Sequence, residues 1–174
     1  IGEYETFIFI SGAHSFFWLN GLMKALLPLS AGKRNSNPAI FSAFVLISFF
    51  SVLAAAILYL IHPFFSEYLL NGKSIPELKW LLIYLIFGIP AHITEYFYLV
   101  KKKNTSLIIY GIVSFSVQLL LVVIPAVLNQ PVSVVLKGLV VSAVLRYLWV
   151  WGIFIFFREI HISVTFVKSH LKLG

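Results

Sequence analysis

The sequence contains no cysteine. Disulfides, thiol catalysis and cysteine-ligated metals are therefore excluded, while the compartment stays open. Charge is scarce as well: 11% of the residues are Asp, Glu, Lys or Arg, against about 25% in ordinary soluble domains. There is no glycine-rich phosphate loop, no metal-spaced His/Asp/Glu cluster and no nucleophile placed beside a base. Those gaps argue against an enzyme and call for no cofactor and no metal. His62 and His92 are isolated, and a lone histidine is more often structural than catalytic. Neither an initiator methionine nor a signal-peptide pattern opens the chain, which starts at Ile1 in an acidic stretch and stops at Gly174 after a basic tail. The expectation is a piece of a longer protein.

What the chain does have is apolar bulk. It is 60% hydrophobic with a mean hydropathy of +0.98. A soluble domain of 174 residues could not hide that much apolar surface, because small domains keep much of their area in water. Lipid is the solvent that fits. Crossing its hydrocarbon takes about 20 mostly apolar residues, and five stretches qualify: Phe7 to Ser30, Ile40 to Ile61, Trp80 to Val100, Ser106 to Leu128 and Val132 to Phe157. The alternating ten-residue pattern of a transmembrane barrel is missing. The expected fold is all-α, a polytopic transmembrane helix bundle of about five transmembrane helices. Residues 1–157 form the bundle and 158–174 a basic, amphipathic cytoplasmic linker. In that tail Ile160, Val164, Val167 and Leu171 fit a helical stripe, while Ile160, Ile162, Val164 and Phe166 also alternate.

The connections are short, so sequential helices run antiparallel. Ala31 to Pro38 is a polar turn, His62 to Lys79 the longest loop, Lys101-Lys-Lys-Asn-Thr105 a tight basic hairpin and Asn129-Gln-Pro131 an uncharged one. The net charge of +7 resembles a nucleic-acid signal only until positions are read. The basic residues lie mostly at the ends of apolar runs, so no nucleic-acid partner is expected. Lys33, Arg34, Lys101, Lys102, Lys103, Arg158, Lys168 and Lys172 fall on one side, opposite Lys73, Lys79, Glu67, Glu77, Glu3 and Glu5. The bias of Lys and Arg makes the first side cytoplasmic.

Four charges sit inside apolar runs, where each is costly and usually faces a polar interior. Arg146 is near the middle of the fifth run, with Gly138, Ser142 and Trp149 near its side of the helix. It either lines a hydrated cavity that holds an anionic group or makes a structural ion pair. Lys24 shares a broad face with His14, Asn20, Gly21 and Pro28, and either faces the bundle or snorkels to the cytoplasmic headgroups. Glu95 lies on one face with Gly88 and His92. An ion pair with Lys24 at similar depth is the favoured arrangement; a coupling proton or cation held by Glu95 and His92 is the alternative. Lys137 is within a turn of the outer end and can snorkel. Tyr110, Ser114 and Gln118 recur at four-residue steps, suited to interhelical hydrogen bonds or to lining a cavity. Pro90 in Gly88-Ile-Pro-Ala91 supplies a kink, because it lacks the amide hydrogen.

The run from Tyr4 through Trp18-Leu-Asn-Gly-Leu-Met-Lys-Ala-Leu-Leu-Pro-Leu29 resembles the second transmembrane helix of bacterial polysaccharide flippases of the multidrug/oligosaccharidyl-lipid/polysaccharide exporter superfamily. Leu81 to Val100, with Gly88-Ile-Pro90 and the basic turn Lys101-Lys-Lys103, looks like that family's fourth helix, and the fifth and sixth follow. The resemblance is one of layout over essentially the whole chain, without a diagnostic motif. It implies part of a six-helix amino-terminal lobe, with the remaining helices of the full-length transporter and membrane lipid as partners. It also implies a lipid-linked oligosaccharide substrate of the undecaprenyl-pyrophosphate type, moved across the bacterial cytoplasmic membrane by alternating access, often driven by a cation gradient. Carried onto this sequence, the anion-binding candidates are Lys24, Arg146 and Lys137. The rivals are a multidrug antiporter, which calls for an acidic cavity, and a non-transporting scaffold, which calls for paired charges and no cavity. A membrane-embedded transferase ranks last, since only His62 and Glu67 approach a catalytic pair.

Overall fold

The computed structural model describes residues 2–30, 37–68, 75, 77–158 and 160–173, without the side chains at 14–18, 25–30, 37–38, 65 and 169–173. The described chain is helical, with no strand among these residues. Its helices are α1 (Gly2–Ser30), α2 (Asn37–Tyr68), α3 (Leu78–Ala91), α4 (Ile93–Val100), α5 (Asn104–Gln118), α6 (Ile124–Val127), α7 (Val132–Phe156) and α8 (Val164–Leu173). A π-helical segment, Leu119–Val123, joins α5 to α6.

Among the described residues, four continuous runs are long and apolar enough to cross a membrane: Ala39–Phe64, Leu78–Val100, Asn104–Val127 and Val132–Phe156. They correspond to the second through fifth stretches expected from hydropathy. The first expected stretch lies in α1, a 29-residue helix that is not among the four. Residues 31–36 of the polar turn, with Lys33 and Arg34, and Lys73 in the longest loop lie outside the described residues, while Asn37 and Pro38 begin α2.

Local chemistry sets the breaks. Pro90 cannot donate to the carbonyl four residues back, so the helix tightens there. His92 donates instead to the Ile89 carbonyl at 3.3 Å, and α4 restarts one residue later. Pro125 has the same defect, and the chain answers it by widening: the amide of Ile124 bonds to the Leu119 carbonyl, one residue beyond the α-helical partner. Both hairpins close with a left-handed residue. Lys102 has φ 53° and Asn129 has φ 54°. Around Lys102, the Lys103 amide reaches the Tyr98 carbonyl at 2.9 Å and the Lys102 amide reaches Leu99 at 3.0 Å. Gln130 to Pro125 and Asn129 to Ala126 repeat that pattern at 3.0 and 3.1 Å. Such paired bonds satisfy the last carbonyls of a helix and reverse the chain.

Helix α7 is central, packed against α3, α5 and the π segment, while α3 also packs on α2. An aromatic core joins these elements. Phe154 is fully buried with ring centroids 5.1 Å from Phe41, 5.3 Å from Phe44 and 6.0 Å from Phe97. On the π segment, a β-carbon added at Gly138 of α7 would lie 1.8 Å from the Leu121 carbonyl oxygen. Glycine is what lets the two backbones meet.

Among the described residues, cations stand over aromatic rings at both ends of the bundle. At one end the Lys103 ammonium lies 3.9 Å from the Phe157 ring, next to Arg158. At the other, Lys79 and Lys137 lie 5.5 and 5.8 Å from the Trp80 ring. The tail forms a helix over Val164–Leu173, and the alternating pattern does not become a strand. Helix α8 packs on α1 and α2 with Phe166 buried, and the Ser163 amide donates to Ser42 Oγ at 2.8 Å.

Candidate functional site

Helix α7 carries Arg146 about 15 Å from its Phe156 end, at 1.5 Å per residue. That is beyond the reach of a side chain to the helix terminus. The break at His92 and the turn at Lys102 bring α4 and α5 against the same stretch of α7. Between the three lies a groove of about 490 Å³. Arg146, Glu95, His92, Tyr110, Ser114 and Gln118 give it polar walls, and Leu99, Leu107 and Phe115 add apolar ones.

The guanidinium is held from two sides. Its Nε donates to the Tyr110 hydroxyl at 2.9 Å, and Nη2 stands 3.6 Å from Glu95 Oε1. The Arg146 side chain is 20% exposed and that of Glu95 48%. Tyr110 is buried with its ring 6.1 Å from Tyr98 and 5.9 Å from Trp149. The Trp149 indole N–H donates to the Tyr98 hydroxyl at 3.1 Å. Three helices thus converge on one cation through residues far apart in sequence.

Several expectations change here. The partner of Glu95 is Arg146, where similar depth had paired it with Lys24. Depth along the chain fixes height in a bundle but not which faces meet, and α4 turns this face toward α7. Lys24 is exposed on α1 and does not line the groove. Lys137 sits over Trp80, also outside it. Of the three cations, the groove therefore contains Arg146 alone, opposite one carboxylate, so the three cations and one acid carried by the apolar runs are not gathered there. Ser142 is buried, and Gly138 serves packing against Leu121. The stripe Tyr110, Ser114 and Gln118 does line the groove, as its four-residue spacing allows.

Tyr98 was not legible as part of the site. Its signal was an aromatic side chain with a polar tip, a residue type that needs a partner when buried, one helical turn after Glu95. A wider cleft of about 640 Å³ lies between the start of α1 and the α6–α7 corner. Its walls are mostly Val and Ala, with Glu5, Asn129 and Gln130. Its polar residues, Tyr4 among them, include no cation to face Glu5, so the smaller groove, which sets a cation opposite a carboxylate, is the better candidate site. Among the described residues no group of three His, Cys, Asp or Glu could hold a metal ion.

The described residues define a class: a helical bundle, without a strand among them, with four membrane-length apolar helices and a charged groove among three of its elements. Comparison with protein-family models, curated proteins and solved structures finds no match for the chain.

Proposed function

We propose that this chain is a membrane-spanning part of a transporter that moves a lipid-linked oligosaccharide across the bacterial cytoplasmic membrane by alternating access. The observation that carries the reading is Arg146, mid-helix at the wall of a 490 Å³ groove. A charge at such depth in a bilayer is expensive, and where it persists it faces a polar interior or a pathway. A guanidinium in a low-dielectric, hydrated groove suits the pyrophosphate of a lipid carrier, through strong charge-assisted hydrogen bonds. The layout resemblance to polysaccharide flippases points to the same substrate. Glu95 and His92 line that groove with Arg146 and are the proposed coupling pair for a proton or cation. The end carrying Lys101–Lys103 and Arg158 faces the cytoplasm in this reading, by the bias of basic residues.

One observation favours a second reading. Arg146 is paired with Glu95, one cation to one acid, as a non-transporting scaffold would require. The groove beside the pair favours transport, since a scaffold has no use for a polar cleft. In the full-length protein, Arg146→Ala should abolish surface-polysaccharide export while the protein still accumulates in the membrane. Normal export by that variant removes Arg146 from the site. Loss of the protein itself would favour the scaffold.

A further inference from the structure

Arg146 is anchored, and Glu95 is not. The Tyr110 hydroxyl fixes Nε at 2.9 Å, and Tyr110 is buried among Tyr98 and Trp149. Glu95 lies 3.6 Å from Nη2, whereas a formed charge-assisted N–H···O bond spans about 2.7–2.9 Å. Its side chain is 48% exposed, and among the described residues no hydrogen-bond donor holds the carboxylate. The eight-residue helix that carries it, α4, begins at the His92 break. The carboxylate is therefore attracted to the guanidinium without being locked onto it.

We propose that Glu95 is a tethered internal competitor for an oxyanion at Arg146. With the groove empty, Glu95 neutralises the guanidinium, which would otherwise be a poorly solvated charge. A phosphate- or pyrophosphate-class ligand displaces the carboxylate and takes the guanidinium in a bidentate grip. Tyr110 keeps the guanidinium in place during the exchange. The returning carboxylate then helps to expel the ligand, so the site does not become a trap. This inference rests on the reading that Arg146 receives the anionic part of the substrate. Loose, part-exposed ion pairs are weak, so removing the competitor should raise oxyanion affinity about five-fold.

The test uses the full-length protein in detergent at low salt, titrated with inorganic pyrophosphate and, separately, with farnesyl pyrophosphate. Glu95→Gln should bind pyrophosphate about five-fold more tightly than the wild type, Glu95→Ala should repeat the gain, and Arg146→Gln should bind none. If farnesyl pyrophosphate binds more tightly and shows the same gain, the displacing anion is a lipid headgroup. If the two ligands bind equally, it is free phosphate. Unchanged or weakened affinity in both Glu95 variants, with binding lost in Arg146→Gln, overturns the competitor role and leaves the anion site standing. Undiminished binding by Arg146→Gln overturns both. Failure of both Glu95 variants to fold also overturns the proposal, because a displaceable partner cannot be essential to the fold.

Discussion

Gly138→Ala adds one methyl group at the point where α7 meets the π segment. That carbon would stand 1.8 Å from the Leu121 carbonyl oxygen and 2.7 Å from its carbon. Both atoms are backbone, so no side-chain rotation relieves the clash. The oxygen must retreat from 1.8 Å to the 3.4 Å at which ordinary contact begins. Leu121 is also the residue whose carbonyl Pro125 leaves without its usual α-helical donor. Moving it means moving the π segment or separating the two helices. Overpacking of a well-fitted contact costs about 1–3 kcal/mol, and a backbone clash of this depth belongs at the upper end. Gly152→Ala in the same helix is the control, since nothing lies within 4 Å of its added carbon; there alanine should stabilise by about 0.5–1 kcal/mol through reduced chain entropy. Unfolding of the detergent-solubilised protein by SDS, followed by tryptophan fluorescence, compares the two directly. If Gly138→Ala is as stable as the wild type while Gly152→Ala behaves as expected, the close approach of α7 to the π segment is wrong.

Two further outcomes probe the core by the same unfolding assay. Phe154→Ala removes a fully buried ring from contact with Phe41, Phe44 and Phe97, and should cost about 3–5 kcal/mol; a loss under about 1 kcal/mol would contradict the aromatic core. Ser51 is fully buried and its hydroxyl has no hydrogen-bond partner among the described residues. Ser51→Ala should therefore be neutral or stabilising by about 1 kcal/mol, and a clear loss would mean that the hydroxyl has a partner.

Most helix positions were readable because length and punctuation act locally, although α2 runs through Pro63 to Tyr68, into the expected longest loop. Pro90, the Lys101–Lys103 turn, Asn129 and Pro131 each mark a break or boundary in the structure, and hydropathy defines the runs between them. The stripe of Tyr110, Ser114 and Gln118 was readable for the same reason, since a four-residue step places side chains on one face. Pairing between helices was not. Glu95 and Arg146 are 51 residues apart, and which faces meet depends on the rotation of α4 against α7. The contact of Gly138 with Leu121 depends on the π turn, and Pro125 by itself does not say whether a helix widens, kinks or ends.

These 174 residues contain no cysteine, so a single cysteine introduced among them has no competitor within them. Ser114 lines the groove, while Ile112, two residues away on α5, is 63% exposed on an apolar surface. In membranes, Ser114→Cys should react with a charged, membrane-impermeant thiol reagent and be shielded by pyrophosphate. Ile112→Cys, on the surface that the membrane reading turns to lipid, should stay unreactive. That pattern is what a hydrated anion groove inside a membrane bundle requires. Equal reactivity at both positions would contradict the membrane setting, and an inert Ser114→Cys would contradict the groove.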